Sequence, residues 1–242
     1  MTKVKKSSIL LTCLLLALLC GLLFYIDGNA SKYIIRITRL CAINIVLALS
    51  MNLVNGFTGI FSLGHAGFMA IGAYTVALLT IPVAKKETIF MLEPLVAPLN
   101  TLTLPFGAAL VIGGLLAAAL AFFIGLPCLR LRGDYLAIAT LGFSEIIRIV
   151  ITNAQSLTNG AQGLKSIPAT ANIWWCYGVA LATVVFIALL ISSSYGRAFK
   201  AIREDEIAAE SMGVSLLRHK MLSFMLSAFL AAVGGGLFAS YI

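Results

Sequence analysis

Apolar runs of roughly 18 to 20 residues recur along this chain, each long enough to cross about 30 Å of hydrocarbon at a rise of about 1.5 Å per residue. In lipid every backbone N–H and C=O must find its partner within protein, so a spanning segment is either a helix or part of a closed barrel. A barrel needs short strands in which apolar and polar residues alternate; the runs here do not alternate. The chain is therefore expected to be all-α, a polytopic transmembrane helical bundle. Composition points the same way. Of the 242 residues, 61% are hydrophobic and 11% charged, against roughly 25% charged in soluble domains, and mean hydropathy is +1.04.

About seven spans are expected, at 9–26, 33–54, 61–81, 106–126, 135–151, 173–193 and from 221 to the terminal Ile242. The first follows Lys3, Lys5 and Lys6 and has the look of a signal peptide. Its apolar run is long for one, and no small-x-small cleavage site precedes Asp27, so it is read as a retained helix. All six prolines (Pro82, Pro94, Pro98, Pro105, Pro127, Pro168) fall in connections or at span edges, where a missing N–H costs least. Trp174, Trp175 and Tyr177 gather at one end of the sixth span, as an interfacial aromatic belt does.

Lysine and arginine set the orientation. With the N-terminus cytoplasmic, the inner segments carry Lys3, Lys5, Lys6, Arg130, Arg132, Arg197, Lys200, Arg203, Arg218 and Lys220. The outer ones carry Lys32, Arg36, Lys165 and, with Glu87 and Glu93 in the long connection 82–105, Lys85 and Lys86. Ten against five favours the N-terminus inside. The net charge of +8 sits mainly at span ends, where it meets lipid head groups rather than nucleic acid. Cys13, Cys20, Cys41, Cys128 and Cys176 show no paired spacing, and with only His65 and His219 there is no metal set; the cysteines read as small apolar packers.

One polar stretch stands out. Residues 196–220 hold nine of the 26 charged side chains (Arg197, Lys200, Arg203, Glu204, Asp205, Glu206, Glu210, Arg218, Lys220), and the topology places them in the cytoplasm. Asp205 is a good N-cap, Glu206 suits the first turn, and Gly213 suits the left-handed position that stops a helix. The helix 206–212 is about two turns, too short to be stable alone in water. It needs either a partner's groove or basic neighbours that pin the loop to lipid head groups.

Two further stretches could carry function. Between 52 and 74, Gly56, Gly59, Gly64, Gly67 and Gly72 interrupt two apolar spans, interleaved with Asn52, Asn55, Thr58, Ser62 and His65. Such glycines allow close helix packing, and equally a broken helix whose free N–H groups receive a carboxylate. His65 reads either as a hydrogen-bonded packing group or as a functional one. Farther along, Glu145 lies about 16 Å into the fifth span, near mid-membrane, where ionisable groups are paired and turned inward. Arg148, three residues on, shares its face and can neutralise it. The pair is either self-contained, a bridge between helices, or part of a polar gate. Arg130, Arg132 and Asp134 sit at the cytoplasmic mouth, as lipid anchors or as a second protein contact.

Taken together, NLVNGFTGIFSLGHAGFMAIGAY (52–74), LRLRGDYLAIATLGFSEIIRIV (129–150) and GRAFKAIREDEIAAESMGV (196–214) resemble the LivM-type permease subunits of branched-chain amino acid ABC transporters, from about residue 40 onward. Ala208, Ala209 and Gly213 match the EAA-type coupling loop of ABC importer permeases, with Ile207 where the usual glutamate stands. The resemblance implies a single permease domain over 1–242 in a bacterial inner membrane, importing leucine, isoleucine and valine. It implies a second permease subunit as heterodimer partner, two ATPase subunits contacting 196–220 through Glu204, Asp205, Glu206, Ala208, Ala209 and Gly213, and an extracytoplasmic substrate-binding protein. Asn52, Asn55, Gly56, Gly59, Ser62, Gly64, His65 and Gly67 would border the substrate path. No GxxxxGK[ST] sequence occurs, so ATP and magnesium belong on the ATPase subunits; this chain is expected to bind no cofactor and to be no enzyme. A urea or short-chain amide importer shares the same motifs. An ATP-independent channel or secondary transporter would have no use for a docking helix at 206–212. Members of the family continue with further membrane helices, so its C-terminal helices are expected to be lacking here.

Overall fold

The computed structural model describes residues 6–90, 95–96, 99–131 and 133–241, with the side chains of residues 6–13, 15 and 16 outside that description. Lys3, Lys5, Glu93, Pro94, Pro98, Arg132 and Ile242 lie outside the described residues, as do the side chains of Lys6 and Cys13. The described chain is helical, without a strand. In order, its helices are α1 Lys6–Asn29, α2 Lys32–Asn52, running on into a π-helical turn Leu53–Phe57, α3 His65–Thr80 and α4 Val83–Ile89. Then follow α5 Phe106–Cys128, α6 Asp134–Asn153, α7 Gln155–Thr158 with a 3-10 turn Gly160–Gln162, α8 Ile173–Ser192, α9 Ser194–Glu204, α10 Glu206–Ser211 and α11 Leu216–Ala239.

Five described helices are long and apolar enough to cross a membrane: α2 with its π turn, α5, α6, α8 and α11. About seven are expected; the difference at α3 has a local cause, and α1 is described with side chains only in part. The expected span 61–81 is helical only from His65, because the chain unwinds at 58–64; its 16 residues pass the length test only with α4, across a bend of 119°. In α1 the described apolar stretch is Ala17–Asn29.

The bundle is built around α11, which packs on α3, α5 and α2, while α8 closes the other side of α2. Lipid offers no hydrophobic drive between helices, so contact depends on small residues that let backbones approach. A Cβ at Gly72 of α3 would stand 2.0 Å from the Ala232 carbonyl oxygen of α11, and one at Gly235 would stand 2.0 Å from that of Met69. Around this seam lie two apolar clusters. One joins Ile43, Val46, Val76, Ala109, Leu110, Cys176 and Leu237; the other joins Val54, Phe68, Ile71, Ala121, Cys128, Phe224 and Ala231. Among the connections, Lys86 of α4 is buried, with its ammonium donating to the carbonyls of Leu99 and Leu102, 2.7 Å each. That pins part of the long connection 82–105 over the helix ends.

Candidate functional site

The polar stretch 196–220 folds into a helical hairpin. Ser193 opens α9, its Oγ accepting from Gly196 N–H at 3.5 Å, and Gly196, Phe199 and Ile202, spaced by three, form a buried stripe along the helix. The basic Arg197, Lys200 and Arg203 share the same eleven residues. Asp205 then breaks the helix with extended backbone and caps the next one, its carboxylate accepting from the N–H groups of Ile207 (2.8 Å) and Ala208 (3.0 Å). The other end of α10 closes just as firmly. Gly213 sits at φ +85°, donating to Glu210 O at 2.9 Å, and Val214 donates back to Ala209 O at 3.1 Å. That is the paired closure of a Schellman motif, which a left-handed glycine permits. The expected helix at 206–212 is thus present as Glu206–Ser211, with Met212 as its C-cap.

Burial divides the hairpin into an anchored side and a free side. Ala209 is buried, and Glu206 pairs with Lys220, which is only 7% exposed although it lies in the second turn of α11. The last span begins at Leu216 rather than Met221, so Arg218, His219 and Lys220 belong to a helix and not to a loop. On the free side, Ile207 is 72% exposed and Met212 85%. The six-residue helix and its C-cap present two bare apolar side chains beside the exposed side chains of Glu204 and Glu210.

The glycine-rich stretch is a broken helix. After the π turn, Thr58 Oγ1 donates to Leu53 O at 3.0 Å and Ile60 N–H returns to Val54 O at 3.0 Å. The next N–H groups find side-chain acceptors: Ser62 on Asn55 Oδ1 (3.3 Å), Leu63 on Thr140 Oγ1 (3.1 Å), Gly64 on Ser62 Oγ (3.4 Å). His65 starts α3, its Nε2 lying 3.0 Å from Ser50 Oγ of α2. The Ser50 hydroxyl donates to Leu47 O (2.8 Å), so it accepts from His65 Nε2–H and leaves Nδ1 as an acceptor. Ser227 of α11 completes the set by donating to Ser50 O at 2.8 Å. Asn55, Ser62, His65 and Ser227 border a cavity of about 10 Å³ closed by Met51, Val54, Phe68, Phe224 and Ala228. That is room for one water.

The residues expected along this stretch therefore separate into three groups. Asn55, Ser62 and His65 face the cavity. Gly64 and Gly67 lie against α6, at Thr140 and at Ser144 and Ile147. Gly56 and Gly59 meet the hairpin through Arg203, which covers Gly59, where φ is +74°, while the Asn52 side chain covers Gly56. Ser50, Thr140, Ser227 and Arg203 join the site although sequence reasoning assigned them no role there. For Ser50 and Thr140 no signal was present, since each hydroxyl bonds the carbonyl three residues back as any helical hydroxyl can; Ser227 donates across to α2, which no local pattern records.

In the third stretch the two charged side chains meet, but they are not turned inward. Arg148 Nε donates to both carboxylate oxygens of Glu145, at 3.0 and 2.9 Å, and Nη2 adds a further contact. Both side chains are exposed on α6, which turns Leu136, Ala137 and Thr140 inward. The pair is self-contained within this chain. Asp134 opens α6, and Arg130 is exposed just before it. Cys128 and Cys176 are buried packers; Cys20 and Cys41 are exposed.

A family described as "Branched-chain amino acid transport system / permease component" matches residues 33–242. The high-affinity branched-chain amino acid transport system permease protein LivM of Escherichia coli (strain K12) is 38% identical over 244 residues, 87% of this chain and 53% of that relative. Its counterpart in Salmonella typhimurium is 37% identical over the same shares. A probable branched-chain amino acid transport permease protein LivM of Methanocaldococcus jannaschii is 22% identical over 229 residues, 81% of this chain and 64% of that relative. The chain spans about half the length of the first two relatives. No solved structure matches.

Proposed function

The chain belongs to the branched-chain amino acid transport system permease family, and on that premise we propose that it is a membrane permease subunit of an ABC importer carrying leucine, isoleucine and valine. The observation that carries the proposal is the 38% identity to LivM across 87% of this chain, with the broken helix and the hairpin both inside the matched residues. The membrane is a bacterial inner membrane, with the N-terminus and the hairpin in the cytoplasm, as the ten-to-five distribution of basic residues favours.

In this proposal the work divides between two regions. Glu204, Asp205, Glu206, Ala208, Ala209 and Gly213 form the docking element for an ATPase subunit. Asp205, Glu206, Ala209 and Gly213 shape and anchor it from within, while Ile207, Met212 and Glu210 meet the partner. ATP and magnesium belong to that partner. A second permease completes the membrane part, and an extracytoplasmic binding protein delivers the amino acid. The broken helix at 52–67 borders the path. Its N–H groups at Ser62, Leu63 and Gly64 are already taken by side chains, and the cavity is no larger than one water, so the state described is closed to substrate. Admitting a carboxylate requires displacing the side-chain acceptors of Asn55, Thr140 and Ser62. Transport then follows if binding protein and nucleotide-loaded ATPase favour different states of the permease, a difference in interaction free energy.

Uptake of labelled leucine by the assembled transporter in proteoliposomes tests the proposal. ATP-dependent uptake, competed by isoleucine and valine and not by urea, is expected. Competition by urea instead would make the chain an amide permease, and uptake without ATP would exclude the importer mechanism.

A further inference from the structure

Arg203 joins the two regions. They are 147 positions apart in sequence, yet Arg203 Nη1 donates to the carbonyl oxygen of Gly56 at 3.1 Å. That carbonyl is available for a reason. In a regular helix Gly56 O would accept from Ile60 N–H, but Ile60 N–H returns to Val54 O, so the π turn leaves an acceptor at the end of the α2 segment. A cation there also meets the negative end of the helix. The contact is close at the backbone too: a Cβ at Gly59 would lie 2.8 Å from Arg203 Cγ and 3.1 Å from its Cα. Glu204 holds the rest of the guanidinium, through Nε at 3.2 Å and Nη2 at 2.5 Å, which leaves Nη1 directed at Gly56.

We propose that Arg203 is a positioning residue that ties the cytoplasmic hairpin to the broken helix, so that displacement of α9 and α10 shifts the segment from Gly56 to His65. The proposal rests on the importer reading above. Both ends are mechanically sound for the purpose. Phe199 and Ile202 seat α9 in the body of the protein, Asp205 caps α10 directly after it, and the Glu206–Lys220 pair with buried Ala209 anchors α10. On the other side, the six residues after Gly56 lead through Ser62 to the Asn55 and His65 cavity. A movement at the docking surface thereby reaches the acceptors that hold the path closed, through one side chain and without rearrangement of the bundle.

The test uses the assembled transporter in nanodiscs and proteoliposomes, with leucine as probe. Arg203→Ala should keep the ATPase bound at the parental level while leucine transported per ATP hydrolysed falls about tenfold, within the range of coupling between two sites. Gly59→Ala should do the same by pushing α9 away, and Arg203→Lys, which retains a cationic donor, should recover part of the loss. Spin labels at Phe61→Cys and Glu210→Cys, in a chain whose five native cysteines are alanine, should give a narrow distance distribution that broadens in Arg203→Ala. Parental transport per ATP in Arg203→Ala overturns the proposal. So does loss of ATPase binding, which would make the residue a support for docking alone. If the parent retains no ATPase, the importer reading fails, and the label distance by itself decides whether Arg203 tethers the two regions.

Discussion

Gly72 and Gly235 fix how closely α3 and α11 approach. Since a side chain at either would meet a backbone carbonyl, neither can be accommodated by a rotamer change. Gly72→Val should lower the unfolding midpoint in detergent, at a cost of about 1–3 kcal/mol or more from overpacking. Gly142→Val on the open face of α6, where nothing lies within 4 Å, should leave it unchanged. At Asp205, replacement by alanine removes the acceptor for two N–H groups and should cost about 1 kcal/mol, read as faster proteolytic nicking at 204–215. Asp205 and Gly213 were legible because a cap is local chemistry, written within a few residues of the helix it serves. The contact of Arg203 with Gly56 was not, because it depends on a π turn that leaves one carbonyl unpaired, and no periodicity in the sequence announces that turn.

Among the elements, α6 and α10 invite the clearest experiments. The middle of α6 carries an ion pair on an exposed face, and if that face meets lipid, removing one member leaves an uncompensated charge there. Glu145→Leu alone should reduce the folded yield in the membrane, and the double change Glu145→Leu, Arg148→Leu should recover most of it, measured by fluorescence-detected size exclusion. A double variant as poor as the single one would mean that the pair answers to something outside this chain. On α10 and its C-cap, the docking proposed above makes Ile207→Glu or Met212→Glu reduce co-purification of the proposed ATPase while leaving insertion intact, because both side chains stand free. Ala209→Arg is a different experiment: Ala209 is buried, so arginine there disrupts the hairpin before any partner arrives. Apolar run length was enough to read α2, α5, α8 and α11 from the sequence. It overestimated α3, because the residues at 61–64 are apolar enough to join a span by composition yet bond as an irregular segment through Asn55, Thr140 and Ser62.

At the scale of the whole molecule, the helix that holds the bundle together comes after the helices it holds. The chain emerges from the ribosome in order, so α2, α3 and α5 enter the bilayer while α11 is still unmade. In that interval Gly72 faces lipid or solvent instead of Ala232, and the Ser50 carbonyl lacks its Ser227 donor. The nascent bundle is therefore an assembly waiting for its keystone: each helix bonds its own backbone, but the small-residue face of α3 has nothing to pack against. A chain released after residue 215 should insert its earlier helices and then be cleared rapidly in a pulse-chase, whereas the chain extended through Ala239 should persist. The length of chain between α3 and α11 sets how long those two glycine faces stay unmatched during synthesis.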